Sequence, residues 1–128
     1  MGKLTTHVLN LAAGIPAAGM CIELRAGATE PTGATAKQPP TDMVLIGTAQ
    51  TDADGRCGAP LLQGAAFGRG RYSLTFHVAA YFRALGHPLA EPPFLDQVVI
   101  AFGIAHPDQD YHVPLLVSPW SYSTYRGS

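Results

Sequence analysis

The sequence predicts an all-β sandwich carrying one short helix, and three observations predict it. Several stretches alternate strictly between apolar and polar residues, the period of a half-buried strand. Clusters of Gly, Pro and Asp interrupt these stretches at close intervals, as turns do between the short strands of a sandwich. A single stretch, "VAAYFRALG", reads as helical, with Gly86 placed to cap its C-terminus.

Taken along the chain, the first strand is expected over Leu4–Asn10. In "MCIELR", Met20, Ile22 and Leu24 face one way while Cys21, Glu23 and Arg25 face the other. Residues 26–42, "AGATEPTGATAKQPPTD", have no period and read as a long, mobile loop. A strand over Met43–Thr51 follows, and "DADG" then turns the chain, with Asp54-Gly55 as the tight bend. In "RYSLTFHV", Tyr72, Leu74, Phe76 and Val78 are apolar, whereas Arg71, Ser73, Thr75 and His77 are not. After the helix come strands over Asp96–Ile104 and through "DYHVPLLVS", where Tyr111, Val113, Leu115 and Val117 share one face. A last strand is expected over Trp120–Tyr125. Strict alternation of this kind argues for half-buried antiparallel strands.

A chain of 128 residues is expected to form one domain, 1–128, burying roughly two thirds of its unfolded surface. Its formal net charge is −1 and it has no basic stripe, which argues against nucleic acid as a partner. No apolar run approaches the roughly 20 residues needed to span a bilayer. The start, "MGKLTTHVLN", enters strand-like sequence without an apolar targeting segment, so a cytoplasmic protein with no membrane partner is expected. Charged residues are 13% of the chain, against about 25% in ordinary soluble chains. Part of the surface is therefore expected to be covered by a subunit contact. Cys21 and Cys57 are too few and too far apart for a disulfide framework or a CxxC metal site, and read as ordinary reduced thiols.

The histidines sort by context. His87 and His106 each precede a proline in turn-like sequence, and His77 lies on the polar face of its strand. His112 faces away from the core together with Asp110, Pro114 and Leu116. That outer face is too apolar for plain solvent surface, and suggests a subunit contact with a histidine set into it. His7 stands in the first strand, within "LTTHVLN". "TDADGR" looks like the start of a calcium loop, but Gln50 and Leu61 stand where such a loop needs acidic ligands. Its bend projects Arg56 from a defined corner, either into solvent or as a planar fork for a carbonyl or anion. The chain ends in "SPWSYSTYRGS", richer in aromatic and hydroxyl groups than a fraying tail; it is a docked strand, or carries chemistry, or both. No GxSxG, P-loop, GxGxxG or HExxH occurs. From the residues alone, His7, Arg56 and His112 are the candidate groups and no substrate follows.

The segments "LTTHVLN", "TDADGRCGAPLL", "YSLTFHVAAYF", "PPFLDQVVIAFGI" and "YHVPLLVSPWSYSTYRGS", in that order, resemble the 5-hydroxyisourate hydrolase family, the transthyretin-related enzymes of urate breakdown. The resemblance spans nearly the whole chain. It implies a transthyretin-like two-sheet sandwich of about eight strands with one short helix, assembled as a homotetramer with active sites where two dimers meet. It implies hydrolysis of 5-hydroxyisourate to 2-oxo-4-hydroxy-4-carboxy-5-ureidoimidazoline, without metal or other cofactor, by histidine-activated water attack on a ring acyl C–N bond. On the same resemblance His7, Arg56, His112 and Ser128 are catalytic, and His7, Arg56 and Tyr125 bind substrate. Two departures stand out: the 26–42 loop is longer than the family's usual link, and Asp110 replaces a frequent histidine. The rival expectation is a transthyretin-like carrier of small molecules. A carrier channel is expected to lack the imidazoles, the arginine and the YRGS ending that this chain keeps.

Overall fold

The alternating stretches become two packed sheets. In the computed structural model, which describes residues 2–27 and 43–127, the strands are β1 (Lys3–Asn10), β2 (Ile15–Pro16), β3 (Cys21–Ala26), β4 (Val44–Gln50), β5 (Leu62–Gln63), β6 (Gly70–Phe76), β7 (Val98–Ile104), β8 (Tyr111–Val117) and β9 (Tyr122–Thr124). A short helix, α1 (Val78–Ala84), links β6 to β7. One sheet runs β2-β1-β8-β9 with β5 also paired to β1, and the other runs β4-β3-β6-β7. The loop read over 26–42 lies, beyond Gly27, outside the described residues, as does Ser128. The two-residue strands β2 and β5 are additions to the expected set, because two residues are too few to display a period.

In β3, β6 and β8 the inward-facing residues are those the alternation assigned: Ile22 and Leu24 of β3, Leu74 and Phe76 of β6 and Leu115 and Val117 of β8 are all buried between the sheets, and Leu4 and Val8 of β1, where the pattern is weak, join them. Each such side chain contributes about 1.5–3 kcal/mol relative to exposure. The helix closes one flank by burying Val78, Ala79, Tyr81 and Phe82. It begins at Val78, where "VAAYFRALG" begins, after β6 has ended at Phe76 with His77 as the N-cap. Gly86 ends it as expected, in a left-handed conformation (φ 81°) that favours glycine. Its N–H donates to the Arg83 carbonyl at 2.9 Å.

One expectation is corrected. β1 and β8 are parallel, in the register Leu4↔Tyr111 to Asn10↔Val117, while every other strand pair is antiparallel. Alternation reports which face of a strand is buried and carries no information about its direction. Hairpin partners are held antiparallel by short turns, whereas β1 and β8 are joined through most of the chain and are free of that constraint. The parallel register sets Thr5, His7 and Leu9 of β1 beside His112, Pro114 and Leu116 of β8, all on the outer face of their sheet. No helix among the described residues is long and apolar enough to cross a membrane.

Candidate functional site

The site is built where the "TDADGR" turn docks against β1 beside β8. Asp52 makes the turn itself: its Oδ1 accepts the N–H groups of Asp54 (2.9 Å) and Arg56 (3.1 Å). The backbone closes the same loop, with Gly55 N–H donating to Asp52 O at 2.9 Å and Asp52 N–H to Arg56 O at 2.7 Å. This is the Asp-rich turn chemistry the sequence announced. Gly55 is required there, since it holds φ 77° and any Cβ would strike the Val8 carbonyl. The turn is pinned to β1 by Val8 N–H donating to Gly55 O at 2.8 Å, which sets His7 opposite Arg56 in a short antiparallel bridge.

That docking fixes His7. Its Nε2 lies 2.8 Å from the Asp54 carbonyl oxygen. A carbonyl only accepts, so Nε2 carries the hydrogen, and the neutral ring keeps its lone pair on Nδ1. His112 is fixed differently, with Nδ1 2.9 Å from the Thr5 hydroxyl. Burial first, then the charges of Arg56 and His7, hold His112 below the ordinary histidine value. Near neutral pH it is an uncharged imidazole, able to accept a proton.

Arg56 and His112 face one open cleft of about 420 Å³, lined by Lys3, Thr5, Thr6, Arg56, Cys57, Gly58, Ala59, Pro60, Asp110 and His112. His7 lies on the same face of β1, two residues beyond Thr5, but is not among the residues lining this cleft. Cys57 keeps its proton to a higher pH than a free thiol because it is partly buried and near Asp52. Asp110 accepts the Lys3 N–H at 3.2 Å and so ties the start of β8 to the start of β1. Tyr125, expected to bind substrate, is 61% exposed and stands outside the lining in the single chain.

As far as Gly127 the tail is docked. After β9 has paired with β8, Gly127 N–H donates to the His112 carbonyl at 2.7 Å. Arg126 staples the turn before β8: Nη2 donates to Gln109 Oε1 and to Asp110 O, each at 3.1 Å, and the guanidinium lies 4.1 Å over the Tyr111 ring. Gly127 rests on the His112 side chain so closely that a Cβ there would come within 2.8 Å of Cδ2 and 3.1 Å of the histidine Cβ.

The remaining histidines stay out of the site. His77 meets Glu23 at 3.3 Å, His87 packs edge-on against Phe82 and Trp120, and His106 is exposed. Among the described residues no group of three His, Cys, Asp or Glu is placed to hold a metal ion. Sequence reasoning missed Thr5, Asp52 and the close packing of Gly127. Thr5 was findable as the neighbour of His7 on one strand face, and Asp52 from its Asx-turn spacing. Nothing local marks what Gly127 packs against.

The HIUase/Transthyretin family model matches residues 4–127. A 5-hydroxyisourate hydrolase of Pseudomonas aeruginosa is 52% identical over 128 residues, which are 100% of this chain and 93% of that one. Among solved structures, an (S)-allantoin synthase superposes with a TM-score of 0.86 at 45% identity; the match covers 99% of this chain but spans only 44% of the synthase. Sea bream transthyretin in complex with thyroxine superposes with a TM-score of 0.79 at 27% identity, covering 98% of this chain and 94% of that one.

Proposed function

The chain belongs to the HIUase/Transthyretin family, and from that premise we propose its activity: it is a hydrolase that opens 5-hydroxyisourate, the substrate named for its Pseudomonas aeruginosa relative. The observation that carries this reading is the cleft lined by both Arg56 and an uncharged His112, with His7 bridged to Arg56 on the neighbouring strand. A carrier channel for small molecules has no use for that set.

The chemistry asks for three things. Water must lose a proton as it attacks, the acyl oxygen gathers negative charge, and the leaving nitrogen must gain a proton. In the reaction we propose, one water O–H bond breaks as its proton passes to an imidazole of His7 or His112. The water oxygen adds to the acyl carbon, and the tetrahedral adduct collapses with cleavage of the C–N bond. The ring nitrogen takes the proton from the imidazolium, which returns to its neutral form, and a carboxyl group is left on the opened ring. Arg56 presents two parallel donors to the carbonyl or enolate edge of the planar substrate. Ser128 is assigned to hold the water or relay its proton, and Tyr125 to wall the substrate.

The working form is a homotetramer, with sites where dimers meet. Supporting this, the outer face around His7 and His112 carries the half-buried Leu9 and Leu116, and the edge strands β7 and β9 expose Val99 and Tyr122. A strongly exposed Tyr125 fits a residue completed by a neighbouring subunit. We place the protein in the cytoplasm. The deciding experiment follows the absorbance of freshly generated 5-hydroxyisourate with and without the protein, alongside its mass in solution. Decay no faster than in buffer would sink the proposed activity.

A further inference from the structure

We infer that Thr5 is a positioning residue for this reaction: its hydroxyl occupies Nδ1 of His112, leaving Nε2 as the nitrogen that exchanges protons in the cleft. The inference rests on the hydrolase reading of this cleft. Three observations carry it. The parallel register places Thr5 directly beside His112, and the hydroxyl reaches Nδ1 at 2.9 Å. Both side chains line the cleft. On its other side Gly127 lies so near the imidazole that a Cβ added there would come within 2.8 Å of Cδ2, 3.1 Å of Cβ and 3.3 Å of Cγ, so only a residue without a side chain leaves the ring this place.

The partner's chemistry matters as much as its position. His7 is held by a carbonyl, which accepts only, and so its neutral tautomer is fixed. A hydroxyl both donates and accepts. Thr5 therefore keeps its bond to His112 in either neutral tautomer and in the imidazolium, whose Nδ1–H donates to Oγ1. A group that takes a proton from water at Nε2 and then returns it to the leaving nitrogen alternates between the Nδ1–H neutral ring and the imidazolium, and the Thr5 hydroxyl accepts from Nδ1–H in both. The titratable groups around this ring are Lys3 and His7 on β1, Arg56 and Cys57 after the turn, Asp110 at the start of β8 and Arg126 in the tail.

The test compares Thr5→Val, which keeps the β-branched shape, with Thr5→Ser, which keeps the hydroxyl. Turnover is resolved into kcat and KM across pH, and the His112 ring is titrated by ¹⁵N NMR. Thr5→Val should lose roughly tenfold to a hundredfold in kcat, with KM little changed. Its His112 titration should move to lower pH, because the imidazolium loses more than the neutral ring when the hydroxyl goes. Thr5→Ser should restore most of both. Wild-type kcat and titration in Thr5→Val overturns the inference, and so does a Thr5→Ser as impaired as Thr5→Val, which would make shape the cause. A wild-type protein without turnover sinks the hydrolase reading instead. The titration then decides alone whether Thr5 holds His112, and an unmoved value rejects it.

Discussion

Replacing Gly127 with alanine adds one methyl group against the side of the His112 imidazole, and its consequences follow from the contact distances. The new Cβ would lie 2.8 Å from Cδ2, 3.1 Å from Cβ and 3.3 Å from Cγ of His112. Carbon atoms pack at about 3.5–4.0 Å, so the closest pair must separate by roughly 1 Å. Gly127 is not among the residues with positive φ, so alanine meets no backbone objection and the effect is purely steric. Either the ring swings or the tail lifts. A lifted tail loses the 2.7 Å bond from Gly127 N–H to the His112 carbonyl, worth about 1 kcal/mol. That is a fall of roughly 3–6 °C in Tm for a domain of this size. A swung ring costs little stability but misplaces the proton acceptor by about 1 Å, which is enough for roughly a hundredfold loss of turnover. The assay is kcat/KM from 5-hydroxyisourate decay, measured beside the thermal melt and the mass in solution. Gly127→Ala should melt within a few degrees of wild type and turn over substrate about tenfold to a hundredfold more slowly. Full kcat/KM at an unchanged Tm would falsify the claim that Gly127 holds the imidazole.

Three further outcomes are expected. Ending the chain at Thr124 keeps β9 but removes the Arg126 contacts with Gln109, Asp110 and Tyr111, together with the Gly127 bridge; the melt should fall by only a few degrees while turnover drops on the order of a hundredfold, and an unfolded product would make the tail chiefly structural. Because His112 is held below its ordinary value by burial and then by Arg56 and His7, the unfolded chain takes up this proton at higher pH than the fold does. Its contribution to stability is thus complete above about pH 6.5 and is lost as pH falls through the folded value. The acidic limb of kcat/KM should likewise lie below about 6.5, and Arg56→Gln should move it upward while lowering turnover; a limb that stays put contradicts the assigned cause. Asp52→Ala strips an acceptor from the amides of Asp54 and Arg56, and should cost about 1–2 kcal/mol and roughly tenfold in turnover. It should also lower the Cys57 thiol value, which Asp52 helps to raise, so thiol titration checks the geometry independently.

By itself the sequence determined the local terms of this protein. Period-two alternation assigned Ile22, Leu74, Phe76, Leu115 and Val117 to the core and turned His112 outward, because a strand's faces follow from residue parity alone. The Gly and Asp spacing located the turn that projects Arg56, since glycine and Asx chemistry act over a few residues. The ending "YRGS" pointed to the tail, and Gly86 to the end of the helix. The tertiary structure alone decided which of these pieces meet. Thr5 and His112 are neighbours because β1 and β8 pair in parallel across most of the chain. Nothing in either strand encodes that direction, which is selected by the summed packing of both sheets. The His7 tautomer depends on a carbonyl that reaches it only once the 52–56 turn has docked. Gly127 matters only through what lies beneath it, and a missing side chain leaves no trace in a pattern of side chains. Burial and turn geometry are short-range properties and can be read from neighbouring residues, whereas register, tautomer and steric fit are relations between distant segments that exist only once the chain has closed on itself.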